Sequence, residues 1–226
     1  MEELRVIEIK KEVLYRNNAE AEALRAEMRA RHTFLLNIMS SPGSGKTTAL
    51  IRTIAELGGE YRAGVLEADI ESEVDARKIA ALGVKTVQLH TGGMCHLDAA
   101  MTKEGLSGLN WPDLDIVFLE NIGNLVCPAE FDTGAAKSVM LLSVPEGDDK
   151  PLKYPLMFSE VDAVLISKID CLSMFDFDAG ALRERVKKLN PAAAVFELSA
   201  KTGEGFEAWM RWLRAELRRW NGEAAR

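Results

Sequence analysis

Cysteine and histidine are scarce, with three of each in 226 residues. An odd handful of cysteines in a chain this long does not make a disulfide framework, so the thiols are read as free and the compartment as reducing. Surplus positive charge is missing too: 28 Lys and Arg stand against 35 Asp and Glu, a formal net charge of −7. Nucleic-acid backbones are held by clustered Lys and Arg, so no nucleic-acid partner is expected. The basic "RRW" near the C-terminus falls on a predicted helix with Glu204, Glu207 and Glu216 and reads as a solvated face. No apolar run approaches the roughly 20 residues that cross a bilayer. The opening "MEELRVIEIKKEV" is charged from its second residue and lacks the apolar stretch of a secretory signal. The expectation is a cytoplasmic protein without membrane contact. What is present, 47% hydrophobic and 28% charged residues, is an ordinary globular balance long enough for one α/β domain.

Residues 8–31 alternate charged and apolar positions at helical spacing (Ile9, Val13, Leu24, Met28), interrupted by an awkward "NN" at 17–18. This predicts an amphipathic helix, in one piece or two, forming an N-terminal extension over 1–32 ahead of a main domain over 33–226. "FLLNIM", "AGVLEAD", "VKTVQL", "DIVFLEN", "SVMLLSV", "DAVLISK" and "AAVFEL" read as seven strands. Helices are expected between them at 47–57, 71–82 and 96–106, and around the last two strands at about 176–189 and 204–220. Strands alternating with helices, several of them continuously apolar, imply an α/β fold: a mostly parallel seven-stranded sheet with helices on both faces. Such sheets bind ligands beyond the carboxyl ends of their strands. The segment 143–155, "SVPEGDDKPLKYP", reads as an exposed, mobile loop.

"SSPGSGKTTAL" follows the first strand and opens the first helix of the main domain, the context of a P-loop NTPase. Gly43, Ser44 and Gly45 are placed to turn backbone N–H groups toward phosphate oxygens. Lys46 is the candidate for the β- and γ-phosphates, Thr47 for Mg2+, and Thr48 completes the run. Ser40 stands where the pattern G-x-x-x-x-G-K-[ST] begins with glycine. "SKID" closes the sixth strand. Its Asp170 accepts from the N1–H and N2–H2 donors of guanine, which adenine lacks, while Lys168 lies along the base. Ser167 replaces the asparagine usual there, a hydroxyl where an amide tethers loops. Ser199, Ala200 and Lys201, in "SAKTG", close the seventh strand where GTPases touch guanine O6, so GTP and GDP are favoured over adenine nucleotides. Asp69 ends the second strand and Glu120 the fourth, the carboxylates for the Mg2+ shell and the attacking water. Gly123 is a donor to the γ-phosphate. Glu67 and Glu71 read as ordinary solvated carboxylates. No arginine is placed as a finger, which predicts slow turnover.

Cys95 and His96 are adjacent in "GGMCHLD", after the third strand, and Cys127 follows Glu120 in "ENIGNLVCP". Two thiolates and an imidazole suit Ni2+ or Zn2+ and leave a position open, or let two chains share one metal. Because Cys127 follows the predicted γ-phosphate contact, metal affinity and nucleotide occupancy are expected to be linked. Cys171 reads as a buried small hydrophobe; His32 and His90 read as structural, His90 being near enough to serve as a fourth ligand.

"SSPGSGKTT", "EADIES", "TGGMCHLDA", "FLENIGNLVCPAEFD" and "SKID" run in the order and spacing of the HypB family of hydrogenase nickel-incorporation GTPases, of the SIMIBI class. The resemblance covers about residues 33–213, and "CHLDA" with "ENIGNLVCP" is its most specific part. It implies a GTPase that dimerises with GTP, binds metal at the dimer interface and delivers nickel to a nickel–iron hydrogenase. It also implies a HypA-like metallochaperone and the hydrogenase large subunit as partners. Matching positions make Lys46 and Thr47 the P-loop residues, Asp69 and Glu120 the switch acids, and Lys168 with Asp170 the base-reading pair. Cys95, His96 and Cys127 become the metal ligands. Many members carry an N-terminal C-x-x-C-G-C site or a His-rich tract. Residues 1–32 hold no cysteine and one histidine, so high-affinity nickel capture is not expected of this stretch. Three alternatives compete: a urease-type accessory GTPase, which carries Cys-Pro-His instead of Cys-His; a metal carrier whose nucleotide only controls dimerisation; and a small-molecule kinase, which needs an Arg-bearing lid.

Overall fold

The protein, as a computed structural model, is described over residues 9–69 and 74–223. Its elements in chain order are α1 (Ile9–Ala30), β1 (Phe34–Ser40), α2 (Lys46–Leu57), β2 (Ala63–Asp69), α3 (Val74–Ala80), β3 (Lys85–His90) and α4 (Ala99–Leu109). There follow β4 (Ile116–Gly123), β5 (Lys137–Ser143), α5 (Lys150–Lys153), α6 (Pro155–Ser159), β6 (Ala163–Ser167), α7 (Ala179–Leu189), β7 (Ala194–Glu197) and α8 (Phe206–Trp220). The strands form one sheet in the order β3-β2-β4-β1-β5-β6-β7. Every pairing is parallel, a stricter arrangement than the expected mostly parallel one.

Every residue of β1 is buried, and so is β4 up to Gly123. Side chains of a strand point alternately to opposite faces, so burial at odd and even positions alike means that both faces are covered. α8 repeats apolar residues at helical spacing, burying Phe206, Trp209, Met210, Leu213, Leu217 and Trp220. Each contributes on the order of 1.5–3 kcal/mol by leaving water. The indole N–H groups are satisfied there, Trp220 Nε1 donating to Thr33 O and Trp209 Nε1 to Thr53 Oγ1, both at 3.0 Å. α1 is one unbroken helix, and Ala21, Leu24 and Met28 are buried. Val13, expected on its apolar stripe, is half exposed.

Several details differ from expectation. α4 begins at Ala99 because the Asp98 side chain accepts from Met101 N and caps it, which leaves His96 in the preceding loop. The predicted loop 143–155 is folded: Val144–Glu146 forms a 3-10 turn, α5 and α6 follow, and Val144 and Pro151 are buried. Its turn residues serve as helix starts, since proline is accommodated in a first helical turn. Glu204 precedes α8, and Glu216 is buried on it and pairs with Arg219. Glu71 and the start of the helix predicted over 71–82 lie outside the described residues. No described helix is long and apolar enough to cross a membrane.

Candidate functional site

The parallel sheet brings the carboxyl ends of its strands to one edge, and there a cavity of about 560 Å³ opens over the loop between β1 and α2. Gly45, at φ 94°, caps α2, whose free N–H groups favour an anion. Lys46 Nζ donates to Ser40 Oγ at 3.1 Å, so the serine at the glycine position holds the lysine in the loop. Burial pulls the Lys46 ammonium below its ordinary range, against the raising effect of Glu120, Glu67, Asp75 and Asp69.

Thr47 Oγ1 lies 2.7 Å from Glu120 Oε1 and 3.0 Å from Asp75 Oδ2. A hydroxyl carries a single proton, so the two carboxylates compete for it. Glu120 is buried with Oε2 unpartnered, and burial pushes its carboxyl above the usual range, opposed by Lys46 and Thr47. A divalent cation resolves both the competition and the orphan oxygen, so a hydroxyl with two carboxylates fits Mg2+. Asp69 lines the same cavity.

Glu67 is not solvated: it is 4% exposed on β2, directly beside Glu120 in the strand register. Burial, and then the Glu120 charge, push its carboxyl to about 7, while the Gln88 amide pulls the other way. Asp75 had no recognisable pattern in the sequence, being one acid among several in an exposed-looking helix. Glu146 was hidden in the misread loop. Its carboxylate accepts from Ser143 N at 2.8 Å and from Ser143 Oγ at 2.7 Å, and also pairs with the Ser41 hydroxyl of the phosphate loop.

At the other end of the cavity, Ser167 Oγ donates to Ser44 O at 2.7 Å and Lys168 Nζ to Gly43 O at 2.7 Å. The hydroxyl of Ser167 therefore ties the two loops at the position where asparagine is usual. Asp170 Oδ1 accepts from Ser199 Oγ at 2.6 Å, a bond that holds its carboxyl below the usual range. Ala200 and Lys201 follow on that loop, Lys201 exposed. Thr48 is exposed at the start of α2, and Gly123 abuts Pro42: a Cβ there would meet the proline ring at 3.0 Å.

The ligand-capable atoms of Cys95, His96 and Cys127 lie within 4.8 Å of one another. The two Sγ atoms are 2.9 Å apart. Two thiolates on a tetrahedral ion stand about 3.8 Å apart at ordinary zinc–sulfur lengths, so binding asks for a small opening of this pair. The hydrogen bond to Cys127 raises the Cys95 thiol, and burial lowers His96, which keeps its ring neutral and able to ligate. The His96 ring stacks on Phe131, centroids 3.8 Å apart. His90 closes β3 exposed and is not part of the group; His32 is exposed as well, so neither is a core histidine. Cys171 is half-buried, 3.8 Å from Asp170 Oδ2, and is not a core hydrophobe.

Comparison with known proteins agrees with this architecture. Residues 34–197 match the model of the nucleotide-binding domain of CobW/HypB/UreG. Hydrogenase maturation factor HypB of Azotobacter chroococcum mcd 1 is 45% identical over 209 residues, 92% of this chain and 68% of the relative. HypB from Helicobacter pylori, solved in complex with nickel, superposes with a TM-score of 0.85 at 37% identity, covering 93% of this chain and 99% of that one. The hydrogenase maturation factor HypB from Archaeoglobus fulgidus gives 0.84 at 37% identity, covering 90% and 100%. With a P-loop nucleotide-hydrolase fold, and with this similarity over nearly its whole length, the chain belongs to the HypB branch of the CobW/HypB/UreG family.

Proposed function

We propose that the protein is a GTP-hydrolysing metallochaperone that takes up nickel in a nucleotide-dependent way and assists its insertion into a nickel–iron hydrogenase. One observation carries the reading: the chain leaving Glu120 passes Gly123 against the phosphate loop and ends at Cys127, within ligand distance of Cys95 and His96. A single segment thus touches both sites, and whatever orders it for the nucleotide also moves a metal ligand.

In this reading Gly43, Ser44, Gly45 and Thr48 wrap the phosphates, and Lys46 balances their charge. Thr47, Glu120 and Asp69, with Asp75, hold Mg2+, which would supply charge neutralisation on the phosphate oxygens. Glu120 and Asp69 orient the attacking water, and Gly123 donates its N–H to the γ-phosphate. Asp170 reads guanine, Lys168 covers it, and Ser167, Ser199, Ala200 and Lys201 complete that end. The described cations lining the phosphate cavity are lysines, so turnover is slow without a donated arginine.

Three ligands per chain leave the metal incomplete. Val126 and Met94, which flank the ligands, are 51% and 44% exposed. An apolar rim around an incomplete site suits a GTP-favoured homodimer sharing its metal. Cys and His ligands accept Zn2+ as well as Ni2+; likeness to HypB, one member of which is crystallised with nickel, favours nickel. The same likeness suggests a HypA-like metallochaperone and the hydrogenase large subunit as partners, in the cytoplasm.

The test is molecular mass and Ni2+ stoichiometry measured with a GTP analogue, with GDP and without nucleotide, on the wild type and Cys127→Ala. A dimer that forms with the analogue and gains metal, with Cys127→Ala losing the metal but keeping the nucleotide, supports the reading. A monomer without metal under every nucleotide refutes it.

A further inference from the structure

One residue of the asparagine pair that interrupts the pattern of α1 has a structural reason. Asn17 is buried, 7% exposed, although it lies on a surface helix. Its Nδ2 donates to Asp132 O at 2.9 Å, and its Oδ1 accepts from Ala99 N at 2.9 Å. The amide orientation is forced, because a carbonyl only accepts and a backbone N–H only donates.

These two backbone groups belong to the two metal-ligand loops. Ala99 opens α4 three residues after His96, and Asp132 follows the Cys127–Ala129 turn. Between them, Phe131 of the second loop carries the ring of His96 from the first. Arg25, also on α1, holds the same segment from outside: its guanidinium reaches the Asp132 carboxylate at 2.6 Å and Ala135 O at 2.9 Å. Asn17 thus bonds to both loops.

We propose that Asn17 is a positioning residue of the metal centre, spanning the two ligand loops so that Cys95 and His96 keep their spacing from Cys127. This gives α1 a role in metal binding, and it rests on the reading of those three residues as ligands. A planar amide suits the task because one rigid group supplies a donor and an acceptor in opposite directions. Alanine there leaves the buried Ala99 N–H and the partly buried Asp132 carbonyl without this partner and frees the loops to drift. Groups that orient metal ligands typically alter affinity about ten- to a hundredfold. Asn17 does not line the phosphate cavity but grips a segment that runs back to Glu120, so GTP affinity should change less than Co2+ affinity does.

The experiment titrates the full chain with Co2+, following thiolate-to-cobalt charge transfer and the visible bands that report coordination geometry. GTP affinity and thermal stability are measured alongside. Asn17→Ala should weaken Co2+ about ten- to a hundredfold with altered visible bands. Asn17→Asp keeps the acceptor for Ala99 N but sets a second acceptor against Asp132 O, so it should weaken Co2+ as well. Arg25→Ala removes an anchor of the same helix but leaves the amide bridge, so at a comparable loss of thermal stability it should hold Co2+ more tightly than Asn17→Ala. Co2+ binding in Asn17→Ala equal to wild type overturns the proposal and leaves the metal reading standing. Arg25→Ala losing as much Co2+ affinity as Asn17→Ala also overturns it, because loosening of α1 then accounts for both. No charge-transfer band in the wild type removes the metal reading itself.

Discussion

Glu67→Gln should make the nucleotide-free protein more stable at neutral pH. The carboxyl sits buried on β2 beside Glu120 and is raised from an ordinary 4.5 to about 7. A folded-state value above the unfolded one means that the folded chain holds the proton longer. Stability from this group is therefore full below about pH 4.5 and is lost as pH rises through about 7. At about 1.4 kcal/mol per pH unit, the loss is about 3 kcal/mol. Glutamine keeps the volume and never ionises, but an imperfectly paired buried amide costs on the order of 1 kcal/mol. The net gain should be about 2 kcal/mol above pH 7, a Tm difference of about 4–8 °C for a chain of this size, and should turn into a loss of about 1 kcal/mol below pH 4.5. Thermal unfolding of both proteins from pH 4 to pH 8 reads it directly. Parallel stability curves, with no divergence across that window, would refute the reasoning: they would mean that Glu67 ionises in the folded chain as easily as in water.

On the proposed reading of Asp170 as the guanine reader, Asp170→Asn should weaken GTP about ten- to a hundredfold, because the carboxylate proposed to meet two base donors is gone. Xanthosine triphosphate should gain instead, since its base places an oxygen where guanine carries N2–H2, and a competition assay between the two nucleotides measures the reversal. Gly205→Ala probes the turn that frames this loop. The glycine sits at φ 74°, and a Cβ would stand 1.8 Å from Glu197 O, a backbone atom that cannot yield without moving β7. Destabilisation should be at least about 3 kcal/mol, seen as a lowered denaturant midpoint; a loss under about 1 kcal/mol would show that the turn relaxes freely.

What was legible in the sequence was local. The strand-loop-helix context of "SSPGSGKTT" and the seven apolar runs specify the parallel sheet, because a motif of adjacent residues needs no tertiary information. The same holds for Cys95 and His96, which are neighbours; Cys127, 31 residues after His96, is brought to them by the fold. Glu67 was misread for a physical reason. In a sheet covered on both faces, alternation no longer separates core from solvent, so a charged residue in an apolar strand is as buried as its neighbours. Glu146 and Asp75 were missed because loops and short helices carry no period that says which way a carboxylate points.

The "NN" of α1 is the most instructive misfit. Asparagine is a poor helix former, and the intrinsic penalty at each such position is a few tenths of a kcal/mol. A buried amide satisfied at both ends more than offsets it, since leaving the buried Ala99 N–H unpaired alone costs about 1–3 kcal/mol. A local weakness in the helix is thus the trace of a tertiary bond. The segment it grips is the one that matters: Glu120 faces Thr47, Gly123 rests on Pro42, Cys127 meets Cys95, Phe131 carries His96, and Asp132 is held by Asn17 and Arg25. That stretch is tied to the phosphate loop at one end and to α1 at the other, with Cys127 between them. On the proposed reading, that is what lets one segment transmit coupling in both directions, as thermodynamic linkage requires.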